Sequence, residues 1–90
     1  MLEQIFVTLA AVLTTASFIP QAVKVLQTKE TEGLSATMYT MFTVGVGFWL
    51  LYGIVVGSWQ IIIANTITLT LASIILFMKL RAVFGASPKP

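Results

Sequence analysis

The residues able to do chemistry in this chain are few, and their types narrow that chemistry at once. Its 90 residues include no cysteine and no histidine, and the only acids are Glu3, Glu30 and Glu32. That excludes disulfides and thiolate metal sites and removes the commonest general base and metal ligand. No metal and no cofactor are expected. Nor is an enzyme, for want of a nucleophile held against a base; a serine–lysine pair would be needed, and Ser17 and Lys24 lie seven residues apart on one helix. What remains is neutral: the amides of Gln21 and Asn65, the hydroxyls of Thr14, Thr15, Ser17, Thr66, Thr68, Thr70 and Ser73, and the rings of Phe42, Trp49 and Tyr52. Threonine and serine can bond their own helix backbone. An amide has two donors and cannot satisfy both there. Gln21 and Asn65 therefore either bind helices together or face a neutral solute.

The elements that hold these groups follow from composition. Hydrophobic residues form 58% of the chain and charged residues 9%, where a soluble domain carries about a quarter charged. A small soluble protein of this composition would expose large apolar patches, so the chain is read as an all-α membrane protein. A span needs about 20 apolar residues. Three stretches qualify: 5–26, charged only at Lys24, and 38–56 and 59–78, which carry no charge. A polar linker occupies 27–37, while Gly57-Ser58 alone separates the second and third spans. Glycine suits a helix end and serine caps a helix start, so these two helices are expected to be antiparallel neighbours. The opening MLEQ carries an acid in place of a basic region, which favours a span over a signal peptide. Residues 1–84 are expected to form a single three-helix domain, and 85–90 a flexible tail or cloning remnant.

Lys24 and Lys29 lie near the first linker, and Lys79, Arg81 and Lys89 follow the third span. Three spans place both groups on one side, so by the positive-inside rule the N-terminus is expected outside and the C-terminus in the cytoplasm. A net charge of +2 without a basic stripe gives no nucleic-acid footprint.

On the second helix Met38, Phe42, Gly45, Trp49, Tyr52 and Val56 share one side, a face for packing or for a solute. Trp49 lies roughly 10 Å below Val56, and Asn65 roughly 9 Å below Trp59, at 1.5 Å per residue. Ring and amide thus reach similar depth on neighbouring helices. Two chains about a two-fold axis would bring two rings and two amides to one cavity, an arrangement suited to sugars: rings cover the C–H face and amides bond the hydroxyls. Tyr39 and Trp59 are expected as interfacial anchors; were the chain an assembly subunit that merely packs helices, Gly45, Gly53 and Gly57 would serve close packing. Pro20 cannot donate its backbone bond to Ala16, so a kink or joint is expected in the first helix.

These residues carry a resemblance. The run Phe18–Ser35, with its Pro20-Gln21 pair, is similar to the PQ-loop motif. Together with Met38–Phe42, Gly45, Phe48–Gly53 and Ala64-Asn65 it resembles the bacterial SemiSWEET sugar transporters of the SWEET family, over about residues 5–82. The resemblance implies a bundle packed in the order one, three, two, and a parallel two-fold homodimer of six helices in the bacterial inner membrane. It implies uncoupled, facilitative transport of a mono- or disaccharide such as glucose or sucrose by alternating access. Trp49 and Asn65 match the sugar site, Pro20 and Gln21 the hinge, Met38 and Phe42 the cytoplasmic gate, and Tyr52 the extracellular gate. One departure is visible: where several relatives carry an arginine and an acid beyond that tyrosine, this chain has Val56 and Ser58, so outer closure would rest on Tyr52 and apolar contacts. The absence of Asp, Glu, His and Arg from every span agrees with an uncoupled neutral solute, since a proton-coupled carrier needs a buried titratable group. The alternatives are a PQ-loop carrier of another small neutral solute and a non-transporting membrane assembly subunit.

Overall fold

A computed structural model describes residues 1–85. It consists of α1 (Leu2–Thr28), α2 (Ala36–Val56) and α3 (Trp59–Leu80), followed by a π-helical turn, Arg81–Gly85. All three helices are long and apolar enough to cross a membrane. At 1.5 Å per residue they measure roughly 40, 32 and 33 Å, against a hydrocarbon core of about 30 Å. Each runs slightly beyond the apolar stretch that marks it in the sequence, because helical geometry does not stop where polarity begins. The expected tail lies outside the described residues, except Gly85, which closes the π turn.

The helix ends are set locally. The Ser35 hydroxyl accepts from the Met38 N–H at 3.1 Å, which starts α2 ahead of its apolar run. Gly57, at φ 71°, ends α2 in the left-handed region. There the Ser58 N–H donates to Gly53 O at 2.9 Å and the Gly57 N–H to Ile54 O at 3.3 Å, the paired bonds of a Schellman cap. Ser58 then caps α3, accepting from the Ile61 N–H at 3.4 Å. The Gly57-Ser58 turn thus reverses the chain as its residue types require. At the other end Lys29 adopts φ 58° and its N–H donates to Val25 O at 2.7 Å; the left-handed conformation ends α1 here without a glycine.

Lipid offers no hydrophobic pull between helices, so their association rests on close packing and hydrogen bonds. α3 packs against both α1 and α2, whereas among the described residues α1 and α2 make no close backbone approach. The buried residues reflect this: Ala22 on α1, Tyr39, Thr43, Val46 and Gly53 on α2, and Gln60, Ala64, Ala72 and Ile75 on α3. Ala22, Tyr39, Ala72 and Ile75 form one cluster near the end that carries the polar linker. Tyr39 is only 8% exposed, which corrects its expected role as an interfacial anchor. Its ring fills the space between α1 and α3 that alanines leave open, whereas Trp59 is exposed.

At Gly53 the α2 backbone comes close against α3. A Cβ there would stand 2.7 Å from Ile61 Cγ2 and 3.3 Å from the Ile62 backbone nitrogen. Gly45 and Gly57 have nothing within 4 Å of such a Cβ, so the close-packing expectation holds for Gly53 alone of the three within the chain.

Polar bonds pin α3 at both ends. Gln60 is 7% exposed; its Nε2 donates to Gln4 Oε1 at 2.8 Å and to Thr8 Oγ1 at 3.1 Å, clasping the first turns of α1. At the linker end Lys79 Nζ donates to Thr31 O at 2.9 Å. Gly53→Ala is expected to destabilise the protein by about 1–3 kcal/mol through overpacking, seen as a lower unfolding midpoint in detergent. Gly47→Ala, with open space around its Cβ, should leave the midpoint unchanged or raise it. Equal midpoints for both variants would refute the close approach.

Candidate functional site

The gap between α1 and α2 is floored by α3, and a trough runs along it. At its centre is a hollow of about 250 Å³ lined by Thr14, Thr15 and Phe18 of α1, Phe42 and Val46 of α2, and Ala64, Asn65 and Thr68 of α3. Towards the linker end a second hollow, of about 310 Å³, is lined by Phe18, Gln21, Val25, Met38, Tyr39 and Phe42 among others. Towards the Gly57-Ser58 turn a third, of about 480 Å³, lies among Glu3, Gln4, Tyr52, Ser58, Trp59 and Gln60.

The central hollow is neutral and partly polar. Asn65 Nδ2 donates to Ile61 O at 2.9 Å. Nδ2 carries a second hydrogen and Oδ1 can accept; among the described residues neither has a side-chain partner. Thr14 bonds back to Ala10 O at 2.7 Å, and Ser17 and Thr70 bond their own helices in the same way. Thr15 and Thr68 line the hollow and make no such bond among the described residues, so their hydroxyls are available with the Asn65 amide. No charged residue lines this hollow. What it can offer is neutral hydrogen bonding.

Phe18 and Phe42 line both the central and the linker-end hollows. Their ring centroids are 5.9 Å apart, and Tyr39 stands 5.6 Å from Phe42. Together these rings divide the two hollows. Met38 and Gln21 lie on the linker side of that division. Phe18 is a residue that sequence reasoning left without a role. The signal was present, since Thr14, Phe18, Gln21 and Val25 recur at i, i+4, i+7 and i+11, a face of α1 opposed to the singled-out face of α2. Gln60 was also passed over; one amide in the first turn of α3 and another, Gln4, in the first turn of α1 could have marked the clasp.

The singled-out face of α2 is uncovered. Met38, Phe42, Trp49, Tyr52 and Val56 are all exposed, while the neighbouring stripe of Tyr39, Thr43, Val46 and Gly53 is buried. Trp49 is 57% exposed and meets Tyr52 edge-on, centroids 5.6 Å apart at 89°. It lines a shallow hollow with Gly45, Phe48 and Tyr52. Within one chain Trp49 and Asn65 therefore line different hollows. Pro20 lies inside α1, which continues through it as helix to Thr28.

Three spanning helices beside an open-sided trough with an uncharged central hollow define a small multi-pass membrane protein, and comparison with known proteins agrees. The family model described as the PQ loop repeat matches residues 2–62. The chain is 46% identical over 79 residues to the sugar transporter SemiSWEET of Leptospira biflexa, covering 88% of this chain and 93% of that protein. It is 45% identical over 71 residues to the sugar transporter SemiSWEET of Escherichia coli, covering 79% and 80%. A crystal structure of SemiSWEET in the inward-open conformation superposes with a TM-score of 0.84 at 37% identity, over 96% of this chain and 100% of that one. The chain belongs to the PQ-loop family, in its SemiSWEET branch.

The ring division predicts an outcome. The chain has no cysteine, so a single one introduced at Thr68 reports on the central hollow. Phe42→Ala should speed its labelling by a thiol reagent applied at the linker end several-fold. An unchanged rate would show that the rings are not the barrier.

Proposed function

We propose that two copies of this chain form a facilitative sugar transporter working by alternating access. The observation that carries the reading is the central hollow, where Asn65, Thr15 and Thr68 offer hydrogen-bonding groups and no charge is present. A coupled carrier requires a titratable group within the membrane, and the central hollow offers only neutral groups to a solute. The SemiSWEET relatives are named as sugar transporters. Family membership sets the chain among transporters, not enzymes.

The assembly is a parallel homodimer with its two-fold axis along the membrane normal, each subunit packed in the order one, three, two. Support for that order comes from the contacts of α3 with both other helices. The exposed face of α2, with the open trough beside it, is the surface the second copy covers. Pairing brings two Trp49 rings and two Asn65 amides around one solute, so the separation of the two residues within a chain is bridged across the axis. The N-terminus and the Gly57-Ser58 turn face outward, and the linker and the C-terminus face the cytoplasm of a bacterial inner membrane. Lys24, Lys29, Lys79 and Arg81 lie towards the linker end, as the positive-inside rule requires.

Phe42 and Met38, with Phe18 now beside them, form the inner gate. Tyr52 forms the outer one, with Val56 where a charged lock would stand. The backbone carbonyl of Ala16 has no proline N–H to accept from, so α1 bends most easily at Pro20-Gln21, and its inner half swings against α2 to open and close the inner mouth.

The test is glucose and sucrose uptake into proteoliposomes with and without an ionophore that collapses ion gradients. Uptake should ignore the ionophore. Asn65→Ala should lower it by about tenfold or more, equivalent to roughly 1.4 kcal/mol of lost solute binding, with the dimer intact. Pro20→Ala should slow exchange. Loss of the dimer in Asn65→Ala would assign that residue to packing, uptake abolished by the ionophore would overturn uncoupled transport, and full exchange by folded Pro20→Ala dimers would remove the hinge. Failure to move either sugar would direct the search to another neutral solute or to an assembly subunit.

A further inference from the structure

We propose that the hollow at the turn end is a second sugar site, one that holds a neutral mono- or disaccharide ahead of the central hollow. The inference rests on sugar being the solute. Of the hollows described above, this is the one walled by a carboxylate and two amides as well as two aromatic rings. The central hollow has one amide, and the Trp49 hollow has none.

Its polar groups are held ready. Buried Gln60 uses its Nε2 on Gln4 Oε1 at 2.8 Å and on Thr8 Oγ1 at 3.1 Å, while its own Oε1 accepts from the Ser58 hydroxyl at 3.2 Å. Gln60 is thereby committed to positioning. Gln4 is held by its oxygen alone, so its Nε2, with two hydrogens, is fixed in place and has no partner among the described residues. Glu3 makes no ion pair among the described residues and offers acceptor oxygens. A sugar hydroxyl is both donor and acceptor; it can take a bond from Gln4 and give a stronger, charge-assisted one to Glu3. Trp59, exposed and outside the α2 face that the second copy covers, supplies an apolar face for the C–H side of the ring, with the outer-gate Tyr52 at the edge of the hollow. An anion would be repelled by Glu3, and an apolar solute would leave Glu3 and Gln4 unpaired. The volume, about 480 Å³, falls in the range of small-molecule sites.

The two tryptophans of the chain separate this site from the central one. In dimers carrying Trp49→Phe and Asn65→Ala the central site is lost and Trp59 alone emits. Glucose or sucrose should still change Trp59 emission saturably, and betaine at matched osmolality should not. Adding Glu3→Ala should abolish the change, and Gln4→Ala should weaken it several-fold. Should the double variant not fold, Trp49→Phe alone is titrated with and without Glu3→Ala, and the Glu3-dependent part of the signal is the readout. Wild-type uptake measured alongside distinguishes the two readings. Uptake with a silent Trp59, or with a change indifferent to Glu3, overturns this site alone. No uptake together with a silent Trp59 overturns the sugar reading as well.

Discussion

A polar group in hydrocarbon must find a partner, a water-filled space or a solute, and nearly every feature of this small protein follows from where its few polar groups do so. Most of the intramembrane hydroxyls with bonds turn back on their own helix, as Thr14 and Thr70 do, and need nothing else. Gln60 cannot do this and reaches across to α1. Asn65 does it with one hydrogen and presents the remainder of its amide to the trough. One chemical group thus serves two ends: an amide surrounded by protein partners becomes a clasp, and an amide beside a hollow keeps hydrogen-bonding groups free.

The clasp and the hollow depend on the same helix. α3 touches both neighbours and carries no charge before Lys79. Its Ala64 and Ala72 are buried, and Gly53 lets the α2 backbone come against Ile61 and Ile62. Bonds at Gln60 and Lys79 hold its two ends. A helix fixed along its whole length can act as a floor against which others move. α1 is bonded to α3 at its first turns and packs Ala22 into the core cluster beyond Pro20. In the proposed function α3 is the floor, and the part of α1 beyond Pro20 is what moves against it.

Much of the fold was legible in the residues. Composition and the spacing of charges placed three spans, and the Gly57-Ser58 turn formed with the cap and left-handed glycine its residue types call for, because caps and tight turns depend on a few adjacent residues. The lack of charge in the central hollow was also legible, since a residue type is present or absent whatever the fold. Other features were not. Tyr39 was expected at the interface and is buried; Gly45 was expected at a contact and has open space; Phe18 and Gln60 were overlooked. Each depends on which side of a helix meets a neighbour.

The sequence by itself determined that the chain crosses the membrane three times, how the Gly57-Ser58 turn is made, and that a solute within the spans meets neutral groups. Only the tertiary structure decided which face of each helix became core and which became trough. The reason is physical. α2 has no charged residue on any side, so its buried stripe and its exposed stripe differ little in hydropathy. In water the apolar face identifies itself by burial. In lipid both faces are equally at ease, and the choice falls to fit: the missing side chain of Gly53 and the shape of Tyr39 against alanines turn one stripe inward, which leaves Trp49 and Tyr52 on the other.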